Sequence, residues 1–247
     1  MNYIVLDLEW NCVMIPKRLR KGVIEHPSEI IEIGAVKLNE KKKIIDSFSI
    51  LVKPFFIKKV QKYILAVTHL TDGQLAEGVA FPKAVDAFFK WCGEDYVLCT
   101  WGCSDIPELK RNLAYYNLDY KVSDEFIDLQ IKYSLCREGN KVQHSVKAAV
   151  EDLRIKENME YHRAINDAIY TAKIFQKIDL KKADKAEARM ARGEIKDSSI
   201  KKLFKKKKKV EPPKKVVINK KPMNERHRPK KVIVVTNEAD VKKVSLR

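Results

Sequence analysis

Three apolar runs crowd the first 54 residues: YIVLDLEW from Tyr3, IIEIGAVKL from Ile30 and IIDSFSILVKP from Ile44. Each is short and rich in β-branched residues, and the polar turn NEKKK separates the last two, so the segment reads as a meander of about three strands. Downstream the pattern changes. A helical region around 59–66 precedes THLTDGQL, where Thr71 suits a helix cap, and FPKAVDAFFKW has helical apolar spacing with Pro82 in the first turn. YVLCTWG (96–102) is a buried-strand candidate, and IPELKRNLAYYNL is a helix opened by Ser104 or Asp105. FIDLQIKYSL starts as a strand at Phe126, HSVKAAVEDLRI is a helix capped by Ser145, and YHRAINDAIYTAKIF (161–175) forms another. Strands in series, then in alternation with helices, predict an α/β fold with a mixed sheet of about five strands flanked by helices.

Charge confines that fold to part of the chain. The first 180 of 247 residues hold 26 Lys/Arg against 25 Asp/Glu, whereas the last 67 hold 24 against 8, so +16 of the net +17 lies beyond Leu180. We therefore expect a domain over 1–180 and a basic, low-complexity, largely disordered tail over 181–247. KKADKAEARMARGEIKD at the start of the tail can extend the last helix. The lysine run at 205–209 suits sequence-independent attraction to phosphates. No apolar run is long enough to span a bilayer and no stretch resembles a signal peptide, which argues against a membrane partner. Five cysteines at irregular spacing complete no zinc pattern; free thiols in a reducing compartment, the cytoplasm, are the expectation.

The acids carry the chemistry. Residues two apart in a strand share a face, so Asp7 and Glu9 project together from the first strand. Two acids on one face of a core strand are costly unless a cation or water compensates them. Asp105 follows a strand, a position where open α/β sheets place functional groups, although Asp105-Ile-Pro-Glu108 also reads as a helix capping box. Asp167 lies beside an apolar helical stripe. His162, five residues earlier, is about 140° away on an ideal helix and meets Asp167 only if it sits in the loop or first turn before the helix. Glu32 reads as solvent-facing, and Asp128 as a strand-end cap. Among the aromatics, Trp10 is the best placed to stack on a terminal base, ahead of Trp101 and Tyr161.

In this order the motifs resemble the DEDDh family of 3′–5′ exonucleases, of the ribonuclease-H-like superfamily. Asp7 and Glu9 match its first motif, Asp105 its second, and His162 and Asp167 its third, with HRAINDA close to the His-x-Ala-x-x-Asp-Ala signature. SEIIEIGAVKL, THLTDGQL and FIDLQ extend the likeness over about residues 1–178. In overall texture it is similar to the branch of KapD and the RNA-trimming exonucleases. Arg163 stands where the sister branch has tyrosine, and Trp10 replaces the usual Thr or Ala. The resemblance implies a ribonuclease-H-like fold and two Mg²⁺ or Mn²⁺ ions about 4 Å apart, held by Asp7, Glu9, Asp105 and Asp167. It also implies His162 as general base and release of nucleoside 5′-monophosphates from single-stranded nucleic acid, with RNA favoured. A DNA exonuclease of proofreading or repair type and a non-catalytic nucleic-acid-binding adaptor are the alternatives.

Overall fold

The computed structural model describes residues 1–13 and 28–195. The meander is present: β1 (Asn2–Cys12), β2 (Ser28–Leu38) and β3 (Ile44–Lys53) pair antiparallel in sequence. After them come α1 (Lys62–Thr68), α2 (Asp72–Ala76), β4 (Val79–Ala80), α3 (Phe81–Cys92), β5 (Tyr96–Thr100) and α4 (Asp105–Tyr115). Then follow β6 (Ile127–Asp128), α5 (Leu129–Glu138), α6 (Val146–Asp152), α7 (Ala164–Lys177) and α8 (Leu180–Ala191). The sheet has order β4-β3-β2-β1-β5-β6, with β5 parallel to β1 and β6 parallel to β5. Six strands thus stand where about five were expected, because β4 is a two-residue pairing too short to leave an alternating pattern. FIDLQIKYSL is strand for only two residues before α5 begins, and Asp128 caps that helix by accepting from Ile131 N (3.0 Å), as expected.

Strand alternation explains both cores. Ile4, Leu6 and Leu8 pack on one face of the sheet with Phe81, Val85 and Phe88 of α3 and Leu109 of α4. On the other face Val5, Val36 and Leu38 meet Ala168, Ala172 and Phe175 of α7. Burying each aliphatic side chain stabilises the fold by roughly 1.5–3 kcal/mol. The odd-numbered face of β1 therefore runs Tyr3, Val5, Asp7, Glu9: apolar under the body of α7, then acidic at its amino-terminal end. Gly34 on β2 makes this layering feasible. A Cβ there would lie 2.1 Å from the carbonyl carbon of Ala164, so only glycine lets the start of α7 rest on the strand.

The charged segment after Lys177 does not prolong α7. The chain turns extended at Ile178, and Asp179 caps a separate helix, α8. There Lys132 of α5 pairs with Asp184 and Glu187 of α8, both at 2.7 Å. The rest of the basic tail, 196–247, with its expected disorder, lies outside the described residues, as does 14–27. No helix among the described residues is long and apolar enough to cross a membrane.

Candidate active site

Five expected residues converge at the carboxyl-terminal end of β1. Asp7 and Glu9 project from the strand toward α7. Beyond Val5, β1 has no β5 partner, because pairing between the two strands ends at Val5–Cys99. The carboxylate of Asp105 takes over: its Oδ1 accepts from Leu8 N at 3.0 Å, between the two β1 acids. The capping box read from the sequence does not form. Ser104 is the N-cap without a side-chain cap bond, and Glu108 bonds Ser28 Oγ and Asn112 Nδ2, both at 2.7 Å. An unpaired strand N–H outcompetes the local cap for the Asp105 carboxylate.

His162 lies in the loop before α7, as the spacing required. Its backbone is left-handed (φ 63°), and its N–H donates to Asp167 Oδ2 at 2.8 Å, so Asp167 caps the turn from within the helix. Ligand atoms of Glu9, His162 and Asp167 all lie within 4.8 Å of one another, close enough to hold one ion. The imidazole is exposed, whereas Asp167 is only 8% exposed. Among the described residues, Asp167 Oδ1 and Thr171 Oγ1 are the buried side-chain polar atoms with no hydrogen-bond partner.

The electrostatics match this geometry. Burial pushes the Glu9 carboxyl up to about 8, with the charges of Asp167, Glu32 and Asp105 adding to it and Arg163 opposing. Burial likewise raises Asp105 to about 7, against the lowering effect of the Leu8 N–H bond. Asp7 is pushed well above the usual carboxylate range by desolvation, then by Asp105, Asp167 and Glu9, and Asp167 is raised by desolvation. Carboxylates gathered this way resist ionisation unless a cation joins them. An all-oxygen acid set with one orphaned buried oxygen fits a hard divalent ion.

One neighbour escaped the sequence reading. Glu32 does not face solvent. It is fully buried opposite Glu9, accepts from Ala164 N at 3.1 Å and is gripped by Arg163 Nη2 at 2.8 Å. The available signal was an acid inside the otherwise apolar IIEIGAV. Trp10 is half-buried against the core, and the β1–β2 register shifts between Glu9 and Trp10. Trp101 donates to His144 O at 2.9 Å, and Tyr161 stacks on Tyr170 with ring centroids 4.9 Å apart; both are occupied structurally.

A mixed sheet of this order, with acids gathered at one strand end, is a ribonuclease-H-like fold, and the sequence of this chain matches that of exonucleases, hydrolases of a class that uses divalent metal ions. Residues 4–175 match the exonuclease family RNase_T, and the chain belongs to that family. It is 26% identical over 152 residues to "Probable 3'-5' exonuclease KapD" of Bacillus subtilis (strain 168), spanning 61% of this chain and 73% of that one. It is 24% identical over 176 residues to the PolC-type DNA polymerase III of Staphylococcus haemolyticus (strain JCSC1435), covering 71% of this chain but 11% of the polymerase. Its fold superimposes on the nuclease domain of 3′hExo, a DEDDh family member bound to rAMP, with TM-score 0.61 and 21% identity over 71% of this chain and 90% of that one.

Proposed function

We propose that this enzyme releases nucleoside 5′-monophosphates from the 3′ end of single-stranded RNA, using two Mg²⁺ or Mn²⁺ ions held by Asp7, Glu9, Asp105 and Asp167. The observation that carries this reading is the orphaned Asp167 Oδ1 in a cluster with Glu9 and His162. When bound, the ions would neutralise the acids and stabilise the charge on the phosphoryl group in transfer. The chain's own part is positioning and proton transfer. A ring nitrogen of His162 takes a proton from the attacking water as the new O–P bond forms. The bond from phosphorus to the 3′ oxygen breaks, and that oxygen leaves with a proton from solvent. Trp10, beside Glu9, offers part of its ring for stacking on the terminal base. The basic segment after Leu180 adds sequence-independent attraction to the phosphates. The five cysteines are all free, which supports a reducing compartment, the cytoplasm.

The rAMP held by 3′hExo favours RNA. The PolC likeness supports the second reading, a DNA exonuclease. Matched 3′-labelled RNA and DNA oligomers, incubated with Mg²⁺ or with EDTA, decide between them. Metal-dependent release of labelled mononucleotide, faster from RNA, is expected. Faster release from DNA overturns the RNA assignment, and intact substrate with Mg²⁺ overturns catalysis and leaves a binding module.

A further inference from the structure

The Glu32–Arg163 pair has no part in the reading above, yet its connections all lead to the loop that carries His162. Glu32 is wholly buried on β2, while the Arg163 side chain is about a third exposed. The guanidinium meets the carboxylate as a fork: Nε lies 3.2 and 3.1 Å from the two oxygens, and Nη2 lies 2.8 Å from Oε1. Oε2 also accepts from Ala164 N at 3.1 Å, at the first residue of α7. Arg163 is the N-cap of α7 and makes no side-chain cap bond of its own, so a residue 132 positions away in sequence does the capping. An acid near a helix start is favoured by the helix dipole as well as by the free N–H groups.

On either side of Arg163 the chain is fixed twice. His162 is held from the amino-terminal side by its N–H bond to Asp167, and Ala164 is held by Glu32 and pressed onto Gly34. Between them, His162 keeps a left-handed backbone that a non-glycine residue adopts only when its surroundings over-determine it. Backbone angles at His162 set the direction in which its imidazole leaves the chain. Arg163, the next residue, is the only link in this run whose side chain is tied to the sheet.

We infer that the Arg163–Glu32 fork is a positioning device. By tying the loop to β2 it holds His162 in its left-handed conformation, so that the imidazole is aimed at the Glu9–Asp167 cluster. This rests on the proposed role of His162 as general base. Neither Arg163 nor Glu32 touches the reacting atoms in this account. Lysine cannot replace the arginine, because a single ammonium lacks the two-pronged geometry that fixes a plane.

The test uses the full chain and a double-mutant cycle on turnover of single-stranded RNA with Mn²⁺. Arg163→Lys should lower kcat about tenfold to a hundredfold with KM changed less than threefold. In a His162→Ala background the same substitution should have no further effect, because the side chain being aimed is gone. Equal losses in both backgrounds would make the pair a structural support and overturn the inference. Should His162→Ala by itself retain full turnover, the general-base reading fails instead, and the two failures are thereby told apart. A second readout needs neither metal nor turnover. In the metal-free protein the NMR ring signals of His162, assigned by their absence in His162→Ala, should shift or broaden in Arg163→Lys while those of the other histidines stay. Unchanged His162 signals would contradict the positioning role. If Arg163→Lys folds poorly, Glu32→Leu/Arg163→Met removes both charges without leaving either unpaired. It should restore the melting temperature but not kcat; recovery of both would also overturn the proposal.

Discussion

Strands β1 and β2 lie side by side, and each carries two acids in its apolar run, but the two pairs live in opposite circumstances. On β2, Glu29 accepts from three successive backbone N–H groups, Phe55 (2.6 Å), Phe56 (2.9 Å) and Ile57 (2.9 Å), and from Tyr116 Oη (2.5 Å). Glu32 has Arg163 and a helix start. On β1, Asp7 and Glu9 face other acids, Asp167 with its orphaned oxygen among them, and Glu9 draws some relief from the charge of Arg163. Burial of a carboxylate is therefore no mark of function in this molecule. What separates the pairs is the supply of donors: an acid with donors holds the fold together, and an acid among acids awaits a cation.

The sharpest way to break this contrast is to neutralise one member of each pair. Asp7→Asn should reduce turnover by about 10³-fold or more, a loss of about 4 kcal/mol in transition-state stabilisation, while its melting temperature holds or rises as repulsion is relieved. A lowered melting temperature would place Asp7 with the structural acids. Glu29→Leu should do the reverse. It strands three N–H groups and a phenol, costing about 3–5 kcal/mol of stability, read from chemical denaturation, and activity of the folded fraction should persist.

A pH titration of metal-free protein sharpens the comparison further. Unfolded carboxylates release their protons near pH 4, whereas folded Asp105 and Glu9 hold theirs to about 7 and about 8. Between these limits the folded chain binds more protons, so stability is highest below pH 4–5 on this account and falls as pH rises toward 8. The loss should amount to several kcal/mol, and saturating Mg²⁺ should shrink it. A stability that climbs from pH 5 to 8 without metal would contradict the clustered-acid picture. The smallest expected effect is at Trp10: Trp10→Leu should raise KM for RNA about threefold to tenfold, or about 1 kcal/mol, with kcat nearly unchanged. An equal fall in kcat would assign Trp10 to the reacting geometry.

Much of this was legible because period is legible. The Asp7–Glu9 pairing follows from strand alternation alone, and His162 had to leave the helix to meet Asp167, which it does. What could not be read was any bond whose partner is remote. The diversion of Asp105 from capping α4 depends on where β5 stops pairing with β1, and the burial of Glu32 depends on an arginine 131 residues away. The two-residue strand β4 exists only because β3 offers it an edge. Gly34 carries the same lesson: its need is set by Ala164, a residue no local window contains.

The central claim is that acids from three separate elements serve one purpose. Calorimetric titration of the metal-free protein with Mn²⁺ tests it most directly. We predict two ions per chain for the wild type and a weakened or lost site in each of Asp7→Asn, Glu9→Gln and Asp167→Asn. Wild-type protein that takes up no Mn²⁺, or variants that bind it as the wild type does, would contradict the account.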